Sequence, residues 1–269
     1  MTHTTGFSNV DDSGRAHELV DYLALLARRL AEVRQVGFNR LRLQPGAVVL
    51  DVGCGAGEVC VELAERVGPT GRVAGLDLSE TMIQAARAAA ERAGRPVEFQ
   101  VGTAYELPFA DATFDAVRAE RVLQHLETPE AALREMVRVT RPGGRIVVFD
   151  PDHGQLTLSL DVSPHRRVFE ATRRSLLQMI VNPHSGTRLR NQLTRAGLEE
   201  VTQSAHPLEA SFPDFSRAFF LKDLLQRATE AGEITPLEAD DFLQELERRH
   251  QEGEFFATAI GYTVSGTRP

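Results

Sequence analysis

The chain has 269 residues, of which 42% are hydrophobic and 25% charged, with a formal net charge of −8. This is the balance of a soluble globular protein of one large domain or two small ones. There is no basic run to mark a nucleic-acid footprint, no apolar stretch of the roughly 18 residues a membrane span needs, and no signal-peptide region in the polar start Met1 to Ser13. Two cysteines, Cys54 and Cys60, make no disulfide framework or zinc ribbon, and a cytoplasmic address follows.

In residues 12–37, Leu19, Tyr22, Leu23, Leu26, Leu30 and Val33 recur at helical spacing, as one long amphipathic helix or two short ones. Gln44-Pro45-Gly46 punctuates the chain. A strand is expected over 47–52, a helix over 58–67 and a second strand over 73–78. Ser79 then caps a helix carrying Met82, Ile83, Ala86, Ala89 and Ala90, with Gly94 past its end. Strands follow at 97–101 and 114–118. Thr128-Pro129-Glu130 predicts a helix start, with Thr128 as cap and Pro129 at the first helical position, running to about Val139. Pro142-Gly143-Gly144 turns into a fifth strand at 145–150. A helix from Ser163-Pro164 passes through Phe169, Leu176 and Ile180 and stops at Asn182-Pro183. A shorter helix ends at Gly197, before a strand over 198–205. Helices over 213–231 and 236–250 precede a closing strand at 255–264. Alternating strands and helices predict an α/β protein with a doubly wound, parallel sheet.

The most informative stretch is Val48-Val49-Leu50-Asp51-Val52-Gly53-Cys54-Gly55-Ala56-Gly57-Glu58. A buried strand runs into alternate glycines and then a helix, and glycine lets the backbone turn sharply and approach a ligand. A dinucleotide fingerprint wants a small residue where Glu58 stands. An acidic side chain at the helix start repels a pyrophosphate. The loop therefore suits a ligand that is neutral or cationic nearby, and a nicotinamide-dependent oxidoreductase is disfavoured.

This stretch resembles motif I of the class I S-adenosylmethionine-dependent methyltransferases. The resemblance continues through Gly75-Leu76-Asp77-Leu78-Ser79, Gly102-Thr103-Ala104-Tyr105-Glu106-Leu107-Pro108-Phe109, Phe114-Asp115-Ala116-Val117, Val122-Leu123-Gln124-His125-Leu126 and Arg141-Pro142-Gly143-Gly144. It spans about 45–150 and is most similar to the branch of menaquinone- and ubiquinone-biosynthesis methyltransferases and small-molecule tailoring enzymes. The resemblance implies a Rossmann-like, mostly parallel seven-stranded sheet with an antiparallel last strand. It also implies S-adenosyl-L-methionine as cofactor and S-adenosyl-L-homocysteine as product. The expected division is a helical cap at 1–44 and a methyltransferase domain at 45–269, with helical insertions at about 155–197 and 207–250.

Carried over to this sequence, the cofactor site comprises Asp51, Gly53, Gly55, Gly57, Asp77, Leu78, Met82, Gly102, Thr103, Ala104, Ala119 and Glu120. Asp77 can accept both ribose hydroxyls, because a carboxylate is acceptor-only. Leu78 and Met82 flank the adenine, although Met82 equally fits the core face of its helix. Thr103 stands where the branch commonly has Asp, so its hydroxyl accepts without charge, and the Ala104 amide can donate to the ring. Asp51 orients the loop and holds the amino group. Ala119 and Glu120 lie beside the methionine part.

Methyl transfer needs an aligned acceptor and excluded water. An O–H or acidic C–H acceptor also needs a base. His125 is the first candidate and His153 the second, within Asp150-Pro151-Asp152-His153. That run can orient a hydroxyl or bind a metal, and a solvated turn is the plainer reading; no metal is expected. His184 reads as a loop residue. Phe212, Phe215, Phe219 and Phe220 line an apolar pocket or form the buried face of a helix. The additions before 45 and after 150 are expected to form a lid over a small-molecule acceptor. An Asn/Asp-Pro-Pro-aromatic motif for a flipped DNA base is missing from Ala119-Glu120-Arg121-Val122. The competing reading is a non-methylating isomerase or cyclase that binds the same cofactor.

Overall fold

Strands covered on both faces read as continuous apolar runs. β1 (Val48–Val52) is one, with Val49, Leu50 and Val52 at most 1% exposed. The structure, a computed structural model, describes residue 11, residues 30–160 and residues 163–269. β2 (Arg72–Asp77) and β4 (Phe114–Glu120) flank β1 in parallel. β3 (Glu98–Val101) lies outside β2, and β5 (Thr140–Leu158) lies outside β4. β7 (Ala257–Thr267) runs antiparallel to both β5 and β6 (Glu199–Ala210). The order β3-β2-β1-β4-β5-β7-β6 is the mostly parallel seven-stranded sheet that the sequence pattern and the resemblance imply.

Helices cover both faces. On one side α1 (Ala31–Leu41), α2 (Glu58–Val67) and α3 (Glu80–Ala93) bury Phe38, Leu41, Leu63 and Ile83 against Val49, Val73 and Val147. On the other, α4 (Pro129–Val139) and α6 (Ser185–Arg195) bury Leu133, Met136, Leu189 and Leu193 against Leu50, Val117, Ile146 and Val148. Beyond the sheet's carboxyl edge a separate apolar core forms. It joins α5 (Ser163–Met179), α7 (Phe212–Ala218), α8 (Leu221–Glu230) and α9 (Pro236–Glu252) to Leu156 and Leu158 of β5 and to Ala257 and Ala259 of β7.

Some local expectations are met and others revised. Ser79 caps α3, accepting from Met82 N, and Gly94 closes it in the left-handed region. Thr128 makes no side-chain cap on α4; the first turn is closed by Ala131 N–H donating to Thr128 O at 2.9 Å, behind Pro129. The single helix expected over 213–231 is two, because Phe220 adopts φ +50° between them. β5 starts five residues before 145 and continues to Leu158, because both ends find partners: Thr140 registers with Phe114 and Leu158 with Ala257. Of the helix expected over 12–37, the described part begins at Ala31 and continues to Leu41; Leu19, Tyr22, Leu23 and Leu26 lie outside the described residues. Among the described residues no helix is long and apolar enough to cross a membrane.

Candidate active site

The glycine loop leaves β1 with φ +71° at Gly53, +52° at Gly55 and +84° at Gly57, a region in which L side chains are strained. Two of the three positions are also crowded. A Cβ on Gly53 would stand 2.4 Å from Val122 Cγ2, and one on Gly57 2.7 Å from Ala86 Cβ. The loop is tied to β2 at two points. Gly53 N and Cys54 N both donate to Leu76 O, and Gly55 N donates to Asp77 Oδ2 at 2.9 Å. The other Asp77 oxygen accepts from Ser79 N at 3.0 Å.

Burial pushes the Asp77 carboxyl up, and the Ser79 and Gly55 amides oppose this. A carboxylate offers about four lone-pair sites, so about two remain for hydroxyl donors. Leu78 beside it is 60% exposed and Val101, registered opposite Asp77, is 48% exposed. These two present uncovered apolar surface next to the carboxylate. Gly102 N donates to Asp77 O at 2.9 Å, which brings Thr103 and Ala104 to the same edge. Thr103 Oγ1 accepts from Tyr105 N at 3.3 Å, and Ala104 is 9% exposed. Met82, at 1% exposure, is packed in the core.

Asp51 and Glu120 point to a buried charge network on the α1 side of the sheet. Arg118 Nη1 lies 3.2 Å from Asp51 Oδ2 and Arg118 Nη2 lies 2.5 Å from Glu120 Oε2. Arg34 bridges Glu120 at 3.3 Å and Glu62 at 3.2 Å. Burial raises the Asp51 carboxyl against the pull of Arg118. Burial acts the same way on Glu120, but there Arg118 and Arg34 win and the carboxyl is lowered. Asp51 and Glu120 thus place two carboxylates behind the loop, each paired with a guanidinium. Ala119, on the other strand face, is buried at 1% exposure.

The second cluster lies where β4 and β5 end. His153 Nε2 meets Gln124 Oε1 at 2.8 Å, and Gln124 Nε2 meets His125 Nε2 at 3.0 Å. Gln124 Nε2 also donates to the Arg121 carbonyl at 3.2 Å. A carbonyl only accepts, so the amide orientation is fixed. His153 then carries its proton on Nε2, and His125 Nε2 is an acceptor. Burial and the nearby Arg121 lower both imidazoles to about 3. Asp150 is 0% exposed. Its Oδ2 accepts from Ser185 Oγ at 2.5 Å, and burial raises the carboxyl to about 7.

The run 150–153 is therefore not a solvated turn. It is the buried middle of β5, with Asp152 at 2% and His153 at 8% exposure. Sequence reading missed Arg34 and Arg118, and it missed the pairing of Asp152 with His184 at 3.0 Å. The one available signal was a charged residue inside an apolar strand, at Asp51 and again at Arg118. Phe212 and Phe215 are buried in the apolar core beyond the edge, and Phe219 reaches back to His153, ring centroids 6.3 Å apart.

Residues 50–148 match the family model of a methyltransferase domain. A 37.1 kDa uncharacterised protein of a Streptomyces fradiae transposon is 35% identical over 263 residues, which cover 94% of this chain and 73% of that protein. The demethylmenaquinone methyltransferase of Lactococcus lactis is 40% identical over 114 residues, 42% of this chain and 45% of its own length. The chain thus spans about half the length of that relative. In structure, a Haemonchus contortus phosphoethanolamine N-methyltransferase solved with S-adenosyl-L-methionine superposes with a TM-score of 0.58 at 16% identity, covering 99% of this chain and 60% of that one.

Proposed function

The chain belongs to the class I S-adenosylmethionine-dependent methyltransferases, with S-adenosylmethionine as its cofactor, and from that premise we propose that it methylates a small organic acceptor. The observation that carries this reading is the junction of Gly55 with Asp77, backed by the Asp51–Arg118–Glu120–Arg34–Glu62 network.

The residues fit the cofactor. The positive-φ glycines let main chain approach the methionine part. Asp77 holds the ribose hydroxyls, and Leu78 and Val101 cover the adenine. Thr103 and Ala104 meet its polar edge. Asp51 and Glu120 supply the charge that faces the ammonium. When bound, S-adenosylmethionine supplies an electrophilic methyl carbon on sulfur. This chain has to align the acceptor and exclude water. The helices beyond the sheet edge serve as the lid, and Phe219 with His153 forms its inner wall. His125 and His153, neutral down to about 3, act there as hydrogen-bonding groups, since a useful general base lies near the working pH.

The test is calorimetry with S-adenosylhomocysteine and NADH, followed by S-adenosylhomocysteine release assays on phenol, catechol and 1,4-naphthoquinol. Binding of S-adenosylhomocysteine without NADH, and methylation of at least one hydroxylated aromatic, is expected. Tight NADH binding alone ends the reading. Phe215→Ala should keep cofactor affinity and lose turnover.

A further inference from the structure

If His125 and His153 serve only as hydrogen-bonding groups, another group must take the proton of any hydroxyl acceptor. The loop before α6 carries one. Asn182 N donates to Gln124 O at 2.9 Å and Asn182 Nδ2 to Leu123 O at 3.2 Å, while His153 N donates to Pro183 O at 2.8 Å. These bonds lay residues 182–184 across the turn that follows β4, at the sheet's carboxyl edge. His184 stands there with its side chain 45% exposed.

Behind His184 is Asp152, whose side chain is 3% exposed. Its Oδ1 accepts from His184 Nδ1 at 3.0 Å and from Gly154 N at 2.9 Å, and its Oδ2 accepts from Thr187 Oγ1 at 2.5 Å. The carboxylate is thus fixed by donors from β5 and α6. Gly154 makes room for the ring: a Cβ there would stand 2.2 Å from His184 Cε1. A carboxylate on Nδ1 fixes the proton at Nδ1 and leaves the Nε2 lone pair turned away from Asp152. A buried carboxylate that orients an accessible imidazole is the arrangement by which general bases are held in the right tautomer and their cationic form is stabilised.

We propose that His184 is the proton acceptor of the reaction and Asp152 its positioning residue. The proposal rests on the methyltransferase reading above. The acceptor's O–H bond breaks and its proton passes to His184 Nε2. The oxygen lone pair forms the bond to the methyl carbon, and the carbon–sulfur bond breaks with its electron pair left on sulfur. The imidazolium is held by Asp152 until solvent takes the proton. The groups facing this pair are His153, which interacts with both of its members, and Arg173, whose Nη1 donates to Gly154 O at 3.4 Å while its Nε and Nη2 engage Glu170.

The experiment uses the full chain with ¹⁵N-labelled histidine, as wild type, His184→Gln and Asp152→Asn. Nitrogen–proton correlation spectra should show His184 protonated at Nδ1. Asp152→Asn, which removes the charge but keeps the shape, should weaken the preference for that tautomer. With a turned-over hydroxylated aromatic from the panel, His184→Gln should lower kcat at least about 100-fold and leave S-adenosylhomocysteine affinity unchanged. Asp152→Asn should lower kcat less. An Nε2–H tautomer at His184 in the wild type, a tautomer balance indifferent to Asp152→Asn, or full kcat in His184→Gln overturns the proposal. Failure of the wild type to bind S-adenosylhomocysteine overturns the methyltransferase reading instead, and the spectra still report on the pair.

Discussion

The main-chain N–H of Gly55 and the Oδ2 of Asp77, 2.9 Å apart, join the loop after one strand to the end of its neighbour. One carboxylate therefore shapes the glycine loop and, in the proposed site, also meets the ribose. Asp77→Ala should weaken S-adenosylhomocysteine binding by about 3 kcal/mol, roughly a hundredfold or more, from two charge-assisted hydrogen bonds. Asp77→Asn, which keeps one acceptor oxygen, should fall between. Calorimetry reads both, and equal affinity in all three proteins would count against Asp77.

The three glycines should separate by their surroundings. Gly57→Ala places a Cβ 2.7 Å from Ala86 Cβ and 2.9 Å from Ala86 Cα at φ +84°, so it should lower stability by about 1–3 kcal/mol. Gly55→Val strains a position at φ +52° in the loop itself. It should abolish cofactor binding while circular dichroism stays that of a folded protein. Normal binding by Gly55→Val would show that Gly55 does not face the ligand.

Acid should destabilise the protein through His125 and His153. Their pKa values fall from 6.5 to about 3 on folding, whereas that of Asp150 rises from 3.8 to about 7. Between pH 3.8 and 6.5 the unfolded chain thus binds two protons on the histidines that the folded chain does not. The folded chain binds one on Asp150 that the unfolded chain does not. Over these three groups the net is one extra proton on the unfolded side, so together they make stability rise with pH by about 1.4 kcal/mol per unit in this window. His153→Gln should flatten that slope. Urea unfolding at several pH values measures it, and an unchanged slope would show that His153 is not buried neutral.

Arg118 should matter to stability more than to binding. Arg118→Met leaves Asp51, at 2% exposure, without its guanidinium. Removing one partner of a buried pair costs about 3–5 kcal/mol. Adding Asp51→Asn to it should recover a large part of that loss, because an uncompensated charge is then gone. Denaturant midpoints of the single and double variants decide this, and additive losses would mean that the two residues are not coupled.

The alternation of strands and helices was legible because period-2 and period-3.6 apolar patterns are local. The candidate cofactor residues could be singled out for the same reason: the glycines, Asp77 and Thr103 stand at strand ends in sequence. What stayed hidden depends on distant partners. Nothing near Phe220 breaks a helix by composition, so its left-handed φ is set by packing. Pro151 reads as a turn because the residue that pairs it, Gly261, lies far along the sequence, and Gly154 sits in an irregularity of that pairing. Asp152 and His184 meet across 32 positions, with no spacing that announces it. Arg34 reads as one arginine among many on a helix, and only burial shows its place in the network.

The position of β7 has a consequence for how the chain is made. The last strand lies between β5 and β6, and Arg145 meets Thr267 across 122 positions. Parallel pairing of β1 through β5 can proceed while the chain is still emerging from the ribosome, but β5 then waits with an open edge until residues 257–267 are made. Such an edge, carrying Ile146, Val147 and Val148, invites pairing with other chains. The chain should therefore be most prone to aggregation between the making of β5 and that of β7. Slowing translation before residue 257 should lower the soluble yield, whereas slowing it near residue 100 should not.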